Sequence, residues 1–305
     1  MRKTLIIIIA FNGARWLPDV LRSIGSGSDY DVWVRDNGSF DETVSILKKH
    51  QAVTFFKQGE NIGFGRANND GMRFALANNY DSVFLLNQDC RIDAADFLRI
   101  RKQGLSAANR VTCPVQMNWD GDGANFAFDT RYAPQWKSSP LPFETDFVNA
   151  AAWFIPIRLV QLVGGFNPVF FMYGEDRDWG RRLLAVGGEF TVIPTVFCFH
   201  DSSGQKIKWR KIEMNRKIIL SVETTEYFFC SENFVAWRRG WLRRAIKRSF
   251  QRKQLFNTAV MINPLAEVIV FKTIVSQRAK WEGVRAASNS LIPFLGATES
   301  SPEHR

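Results

Sequence analysis

A chain of 305 residues with 46% apolar and 23% charged residues can hold one large domain plus a smaller appendage, or two modest domains, and is too apolar for disorder along its whole length. The net charge of +10 is confined, because residues 206–253 carry fourteen Lys and Arg against four Glu and the rest of the chain sums to zero. A neutral body with a basic appendage argues for an anionic surface as partner rather than for a basic active site.

Arg2 and Lys3 ahead of Leu5–Ala10 imitate the start of a signal peptide. The run stops at Asn12-Gly13 without a small-residue cleavage site and is rich in β-branched Ile, so Leu5–Phe11 is read as a buried first strand. Arg15–Ile24 predicts a helix with Pro18 in its first turn, and Asp31–Arg35 a second strand. Ser39-Phe40-Asp41-Glu42 has the spacing of a capping box opening a helix to about Lys49. Val53–Lys57, Gly65–Asn78 and Ser82–Leu86 follow as strand, helix and strand. Such alternation, with nearly continuous apolar strands, predicts an α/β fold: a mainly parallel sheet with helices on both faces. Past Asp93 the rhythm loosens. Helix and strand signals over Ala94–Pro114 precede a Gly-, Asp- and Trp-rich stretch, Asn118–Pro142, read as loops and short strands. Then come a buried strand Phe147–Pro156, a helix Glu175–Val186 and a strand Glu189–His200. The main domain is expected over residues 1–203 and a helical, basic region over 204–305, with the tail from about Leu291 frayed. No run of 18 apolar residues occurs, so no helix is expected to span a bilayer. Cys90, Cys113, Cys198 and Cys230 are widely spaced and form no Cys-x-x-Cys pair, which suggests a reducing, cytoplasmic compartment.

In an open parallel sheet, ligands gather outside the carboxyl ends of the strands. Four strand ends here are loaded with Asn, Asp and Gly: Asn12-Gly13, Asp36-Asn37-Gly38-Ser39-Phe40-Asp41, Asn61-Ile62-Gly63-Phe64-Gly65-Arg66, and Asn87-Gln88-Asp89. Any one loop could owe its residues to turn-making alone; four on one edge describe a polar cleft. A dehydrogenase fingerprint would need Gly-x-Gly-x-x-Gly directly after the first strand, and only Asn12-Gly13 stands there. A Walker loop is missing too.

The ordered segments Ile8 with Ala10-Phe11-Asn12, Asp36-Asn37-Gly38-Ser39-x-Asp41, Asn61-x-Gly63-Phe64, Leu85-Leu86-Asn87-Gln88-Asp89, Gly164-Gly165-Phe166, Phe170-Phe171-Met172-Tyr173-Gly174-Glu175-Asp176 and His200 make the chain resemble an inverting glycosyltransferase of the large family 2. The Leu-Asn-Gln-Asp variant is most similar to its bacterial rhamnosyltransferase-like branch. The resemblance implies the GT-A fold, a donor half at about 1–93 and an acceptor half at about 94–203. It also implies transfer of a sugar, rhamnose-like or another hexose, from a dTDP- or UDP-linked donor to a hydroxyl of a lipid-linked surface glycan.

By the same resemblance Asp89 takes the place of the last carboxylate of the family's Asp-x-Asp motif, with His200 as a second ligand to Mn2+ or Mg2+. Asn87 replaces the first Asp of that motif and, with Gln88, is assigned to the nucleotide-sugar. One carboxylate is a poor site for a hard cation unless a diphosphate and water supply further oxygens. Asp89 could instead cap the following helix, and His200 could be a polar strand-end residue. Asp176 is implied as the general base and Glu175 as its partner at the acceptor, although acids at a helix start are favoured by its partial positive charge in any case. Phe11, Asn12, Asp36, Asn37, Asp41, Asn61, Gly63 and Arg66 are implied at the nucleotide-sugar. For Asp41 first-turn stabilisation, and for Arg66 a solvated helix face, are the alternatives.

Phe234, Trp237, Trp241, Leu242, Ala245, Ile246 and Phe250 recur at helical spacing with eight Lys and Arg between Arg238 and Lys253. That is the pattern of a helix lying in a membrane interface, where each cation near an anionic leaflet contributes about 1 kcal/mol. A peripheral location on the inner face of the cell membrane follows, with a helix packed on the main domain as the alternative. Nucleic acid is not expected as a partner, since no reader motif accompanies the charge. A non-catalytic nucleotide-sugar or polysaccharide-binding protein is the other functional class, and Asn87 is its best support.

Overall fold

The computed structural model describes residues 3–50, 53–57, 59–201, 216, 219–220, 222–224, 226–250, 264–279, 282–283 and 294–295. β1 (Thr4–Ala10), β2 (Tyr30–Asp36), β3 (Val53–Lys57) and β4 (Ser82–Asn87) run parallel in the order β3-β2-β1-β4. The helices between them are α1 (Leu17–Ile24), α2 (Thr43–Lys49) and α3 (Phe64–Ala77). Every residue of β1 is buried, as a strand covered on both faces must be. Its side chains alternate between two cores: Leu5, Ile7 and Ile9 join Ala67, Met72 and Ala75 of α3, while Ile6, Ile8 and Ala10 join Leu17, Val20, Leu21 and Ile24 of α1.

The second half comprises β5 (Cys90–Arg91), α4 (Ala94–Leu105), β6 (Arg110–Asn118), α5 (Phe126–Ser138), β7 (Phe143–Thr145), β8 (Ala152–Pro156), α6 (Ile157–Val163), α7 (Glu175–Ala185) and β9 (Glu189–His200). The sheet continues β4-β8-β6-β9-β5, with β7 paired to β9. β8 is antiparallel to β4 and β6, whereas β6 and β9 are parallel, so this half is mixed. Because β8 enters antiparallel, the turn before it meets the carboxyl end of β4: Ala152 pairs with Leu86, and Asn87 N donates to Ala151 O at 2.9 Å. The strand expected over Phe147–Pro156 accordingly begins only at Ala152, its first residues forming that buried turn.

Three further expectations are corrected. Ser39 does not cap α2, which begins at Thr43: Asp41 Oδ1 accepts Thr43 N at 3.0 Å, and Ser39 Oγ accepts from Asn12 N at 2.8 Å, a tertiary bond that overrides the local capping box. The stretch 118–142 contains a helix, α5, opened by Asn125, whose Oδ1 accepts from Ala127 N, and anchored by Phe128 and Tyr132 one turn apart in the core. Pro134 lies inside this helix. Phe294 and Leu295, expected in a frayed tail, are buried: Leu295 O accepts from Arg73 Nε at 3.0 Å and Phe294 lies under the Arg182 guanidinium.

The basic helix forms as α8 (Phe234–Phe250) and pairs with α9 (Pro264–Ser276). Phe234, Trp237 and Trp241 do not face outward. Phe234 and Trp237 are buried with Ile219, Tyr227, Phe228, Val270 and Ile274, Trp237 Nε1 donates to Glu223 Oε2 at 2.8 Å, and Trp241 packs on Phe271. A second helix supplies enough apolar surface to cover that face. Arg252, Lys253 and the basic positions 206–215 lie outside the described residues. Among the described residues no helix is long and apolar enough to cross a membrane.

One buried ion pair anchors α7: Arg182 Nε donates to Asp178 Oδ2 at 3.0 Å, and its other nitrogens donate to Val163 O and Gly165 O. Asp178→Ala leaves that guanidinium buried without a counter-charge. Urea unfolding should show a stability loss of about 3–5 kcal/mol, and a smaller loss for Asp178→Asn, which keeps an acceptor.

Candidate active site

The loops after β1, β2 and β3 lock one another. Asn12, at a left-handed φ of 49°, donates its N–H to Ser39 Oγ and accepts Phe40 N at Oδ1. Asp36 accepts Ser39 N at 3.2 and 3.3 Å and is fully buried. Asp41 accepts from Thr43 and from Ala14 N, and these bonds outweigh burial to hold its pKa below the ordinary value. Asn37 Nδ2 donates to Asn61 Oδ1, which also accepts Gly63 N, while Asn37 Oδ1 accepts Ile62 N. Gln88 clips β4 to β1 with both ends of its amide: Phe11 N donates to Oε1 at 2.8 Å and Nε2 donates to Phe11 O at 3.0 Å. These side chains build the rim by satisfying backbone groups.

At the far end of the sheet β5 pairs with β9, which sets Cys90 opposite His200 and brings His200 Nε2 to 3.4 Å from Asp89 Oδ1. Asp201 fixes this corner: its N–H donates to Asp89 O at 2.9 Å, and its Oδ2 accepts Trp16 Nε1 at 2.8 Å and pairs with Arg15. His200 is buried, and neither ring nitrogen has a hydrogen-bond partner of good geometry. Burial alone would lower its pKa, yet the Asp89 carboxylate outweighs burial and raises it. Asn87 Oδ1 and Gln116 Oε1, at the ends of β4 and β6, are likewise buried without a partner. A buried polar atom left so costs about 1–3 kcal/mol, and here several lie at one sheet edge.

The third wall is the segment from Asn167 to Asp176, held against α3 by close approach. Phe64 N donates to Phe171 O, and Arg66 donates twice to Pro168 O, so Arg66 ties α3 to this segment. Gly63 has φ +90°, and a Cβ there would run into the Phe171 carbonyl; a Cβ on Gly65 would meet Phe166 at 2.9 Å and Glu175 at 3.4 Å. Tyr173 and Gly174 both have positive φ (65° and 101°), which turns the chain into α7. A bulky residue in that region costs on the order of 1–3 kcal/mol and marks a position fixed by its surroundings. Burial raises the Tyr173 hydroxyl pKa, and the carboxylates of Glu175 and Asp89 raise it further. Glu175 is buried; Asp176 accepts Arg177 N at 2.7 Å and a backbone bond from Ala150, in the same turn that receives Asn87. Burial raises the Asp176 pKa despite the Arg177 charge and these bonds.

Asp89 and His200 are thus in contact, Tyr173 lies within the influence of the Asp89 and Glu175 charges, and Asp176 is bonded to the turn that receives Asn87, while Asp36 and Asp41 stand in the loop scaffold. Tyr173, Trp16 and Asp201 were missed as contributors. The positive φ of Tyr173 has no signature in the sequence, and Trp16 and Asp201 are 185 residues apart.

The fit of a cation can be judged on the donor set. A separation of 3.4 Å suits two donors sharing one cation at about 2.1 Å each, and an imidazole lacking hydrogen bonds offers a nitrogen lone pair. Among the described residues no group of three or more His, Cys, Asp or Glu gathers to hold a metal. The residues fit an ion held jointly with a diphosphate, not an all-protein site.

Comparison with known proteins agrees with this architecture. The family model described as glycosyl transferase family 2 matches residues 5–157. The low-salt glycan biosynthesis hexosyltransferase Agl10 of Haloferax volcanii is 24% identical over 188 residues, covering 58% of this chain. The chain spans 60% of the length of that curated relative. GalNAc-T7, solved with UDP, GalNAc and Mn2+, superposes with a TM-score of 0.58 at 12% identity over 92% of this chain and 58% of its own. S. aureus TarS 1-349 in complex with UDP-GlcNAc gives 0.55 at 13% identity, covering 94% and 80%. These likenesses show the GT-A fold.

Since Gly63 permits the contact that seats the 167–176 segment, Gly63→Ala is expected to raise amide hydrogen exchange across 166–175 by roughly tenfold, a local opening of about 1.4 kcal/mol, with the circular dichroism of the parent retained.

Proposed function

Since the chain belongs to glycosyl transferase family 2, we propose that it is an inverting, metal-dependent transferase acting on a dTDP- or UDP-sugar, rhamnose-like or another hexose. Its acceptor in this proposal is a hydroxyl of a growing, lipid-linked surface glycan met at the inner face of the cell membrane, with residues 1–203 as the catalytic unit. The observation that carries the proposal is the Asp89–His200 pair, 3.4 Å apart with a buried imidazole lacking hydrogen-bond partners, beside the acidic start of α7. The UDP, Mn2+ and UDP-GlcNAc of the structural neighbours support the donor class and the cation.

Asp89 and His200 would hold Mn2+ or Mg2+ against the donor diphosphate. Such an ion, when bound, neutralises charge growing on the leaving oxygen. Asn87 Oδ1 accepts a hydroxyl of the donor, and the loops braced by Asn12, Asp36, Asn37, Asp41 and Asn61 receive the nucleotide. Glu175 orients the acceptor hydroxyl and Asp176 takes its proton. The acceptor oxygen bonds to the anomeric carbon from the side opposite the diphosphate, the carbon–phosphate oxygen bond breaks with its electron pair leaving on the diphosphate, and configuration inverts. One base and one in-line leaving group suffice, with no second carboxylate as nucleophile.

Two measurements test this. Asp176→Asn should lower kcat roughly 10²–10⁴-fold while nucleotide binding persists. The base must be ionised, so in the parent kcat/KM should fall as pH falls, with an acid limb above the ordinary aspartate value of about 3.9, because burial raises this pKa. Full turnover by Asp176→Asn would remove Asp176 as the base, and absence of turnover by the parent with every nucleotide-sugar would favour the non-catalytic sugar-binding class. In a thermal-shift panel, dTDP or UDP with Mn2+ should stabilise the protein and chelator should remove the effect; indifference to every nucleotide would overturn the assignment.

A further inference from the structure

We propose that the outward face of α8 is a bilayer-contact surface whose partner is an anionic lipid membrane. Val235, Leu242 and Ile246 are 50%, 57% and 49% exposed and alternate with exposed Arg238, Arg239, Arg243 and Lys247. Steps of three and four residues place all of them on one side of the helix. No Asp or Glu occurs from Phe234 to Phe250. Among the described residues none of these four cations forms an ion pair, whereas Arg244, on the inward side, pairs with Glu223 at 2.8 Å and Glu226 at 3.2 Å.

This face differs from the one the sequence pattern suggests. The aromatic side is occupied: Phe234 and Trp237 are buried, and the Trp237 ring stacks on Phe271 of α9. Packing of that side fixes the helix in place and presents the mixed stripe outward. α9 adds exposed Leu265, Val268 and Val275.

The mixture on one stripe selects the partner. A leaflet of anionic lipid takes cations at its headgroups and aliphatic side chains at the acyl boundary. Nucleic acid would pair the same cations with phosphate but leave the three aliphatic side chains in water. The inference rests on the membrane-face location proposed above and identifies the surface responsible. Its test uses no sugar donor, so failure here leaves sugar transfer standing.

The experiment is co-sedimentation of the full chain with vesicles of phosphatidylcholine alone or containing phosphatidylglycerol. Binding to the anionic vesicles is expected to exceed that to neutral ones by at least about tenfold and to weaken in high salt. Arg239→Gln/Arg243→Gln and Leu242→Ser/Ile246→Ser should each reduce it by about tenfold, with thermal unfolding unchanged. Equal binding to both vesicle types, parental binding by the Leu242→Ser/Ile246→Ser variant, or tighter binding to duplex DNA than to anionic vesicles would each overturn the proposal.

Discussion

The acids at the start of α7 come from a segment far along the chain, which packs on α3 where Gly63 lets backbone lie on backbone and Gly65 leaves room for the Phe166 and Glu175 side chains. Gly63 and Gly65 open α3, and side chains there would strike Phe171, Phe166 and Glu175. With the glycines in place, the Phe171 carbonyl meets the Phe64 amide, Arg66 holds the Pro168 carbonyl, and Glu175 settles against α3. The Asp178–Arg182 pair then secures the other side of α7 by tying Arg182 to the carbonyls of Val163 and Gly165. The Gly-x-Gly element after β3 thus seats the segment that carries the acids.

Electrostatics explain why such a construction suits a charged ligand. Asp89 stands beside His200, Arg177 acts on Asp176, and burial raises the Asp176 pKa despite that charge. Like charges brought together in a partly buried edge are tolerated when a cation belongs among them. In the proposed reaction that cation comes with the diphosphate, which makes the donor part of its own binding site. Asp201, hydrogen-bonded to Trp16 and to the Asp89 carbonyl, ties the end of β9 to the loop after β1 beside the pair.

Much of the parallel half was legible, because period and burial coincide there: β1, β2, β3 and β4 and the helices between them lie within a residue or two of expectation, apart from the start of α2. The errors share a cause, a local signal outweighed by a distant contact. Ser39 reads as a cap but bonds Asn12; the Gly-, Asp- and Trp-rich stretch 118–142 reads as loops and short strands but holds a helix anchored by Phe128 and Tyr132. The aromatic stripe of α8 reads as a free face, yet α9 covers it. At the site, the contact between Asp89 and His200 follows from two strand ends, whereas Asp36 bonds the Ser39 amide and Tyr173 gains its place from a backbone turn no motif encodes.

The most direct measurement is a crystal structure of the full chain with UDP or dTDP and Mn2+, located by the anomalous signal of manganese. The expected result is one manganese peak at about 2.1–2.3 Å from Asp89 and His200, bridged to both phosphates, with Asp176 facing the open side of the anomeric position. A nucleotide bound elsewhere, or manganese bound to the diphosphate without either side chain, would contradict the proposed centre.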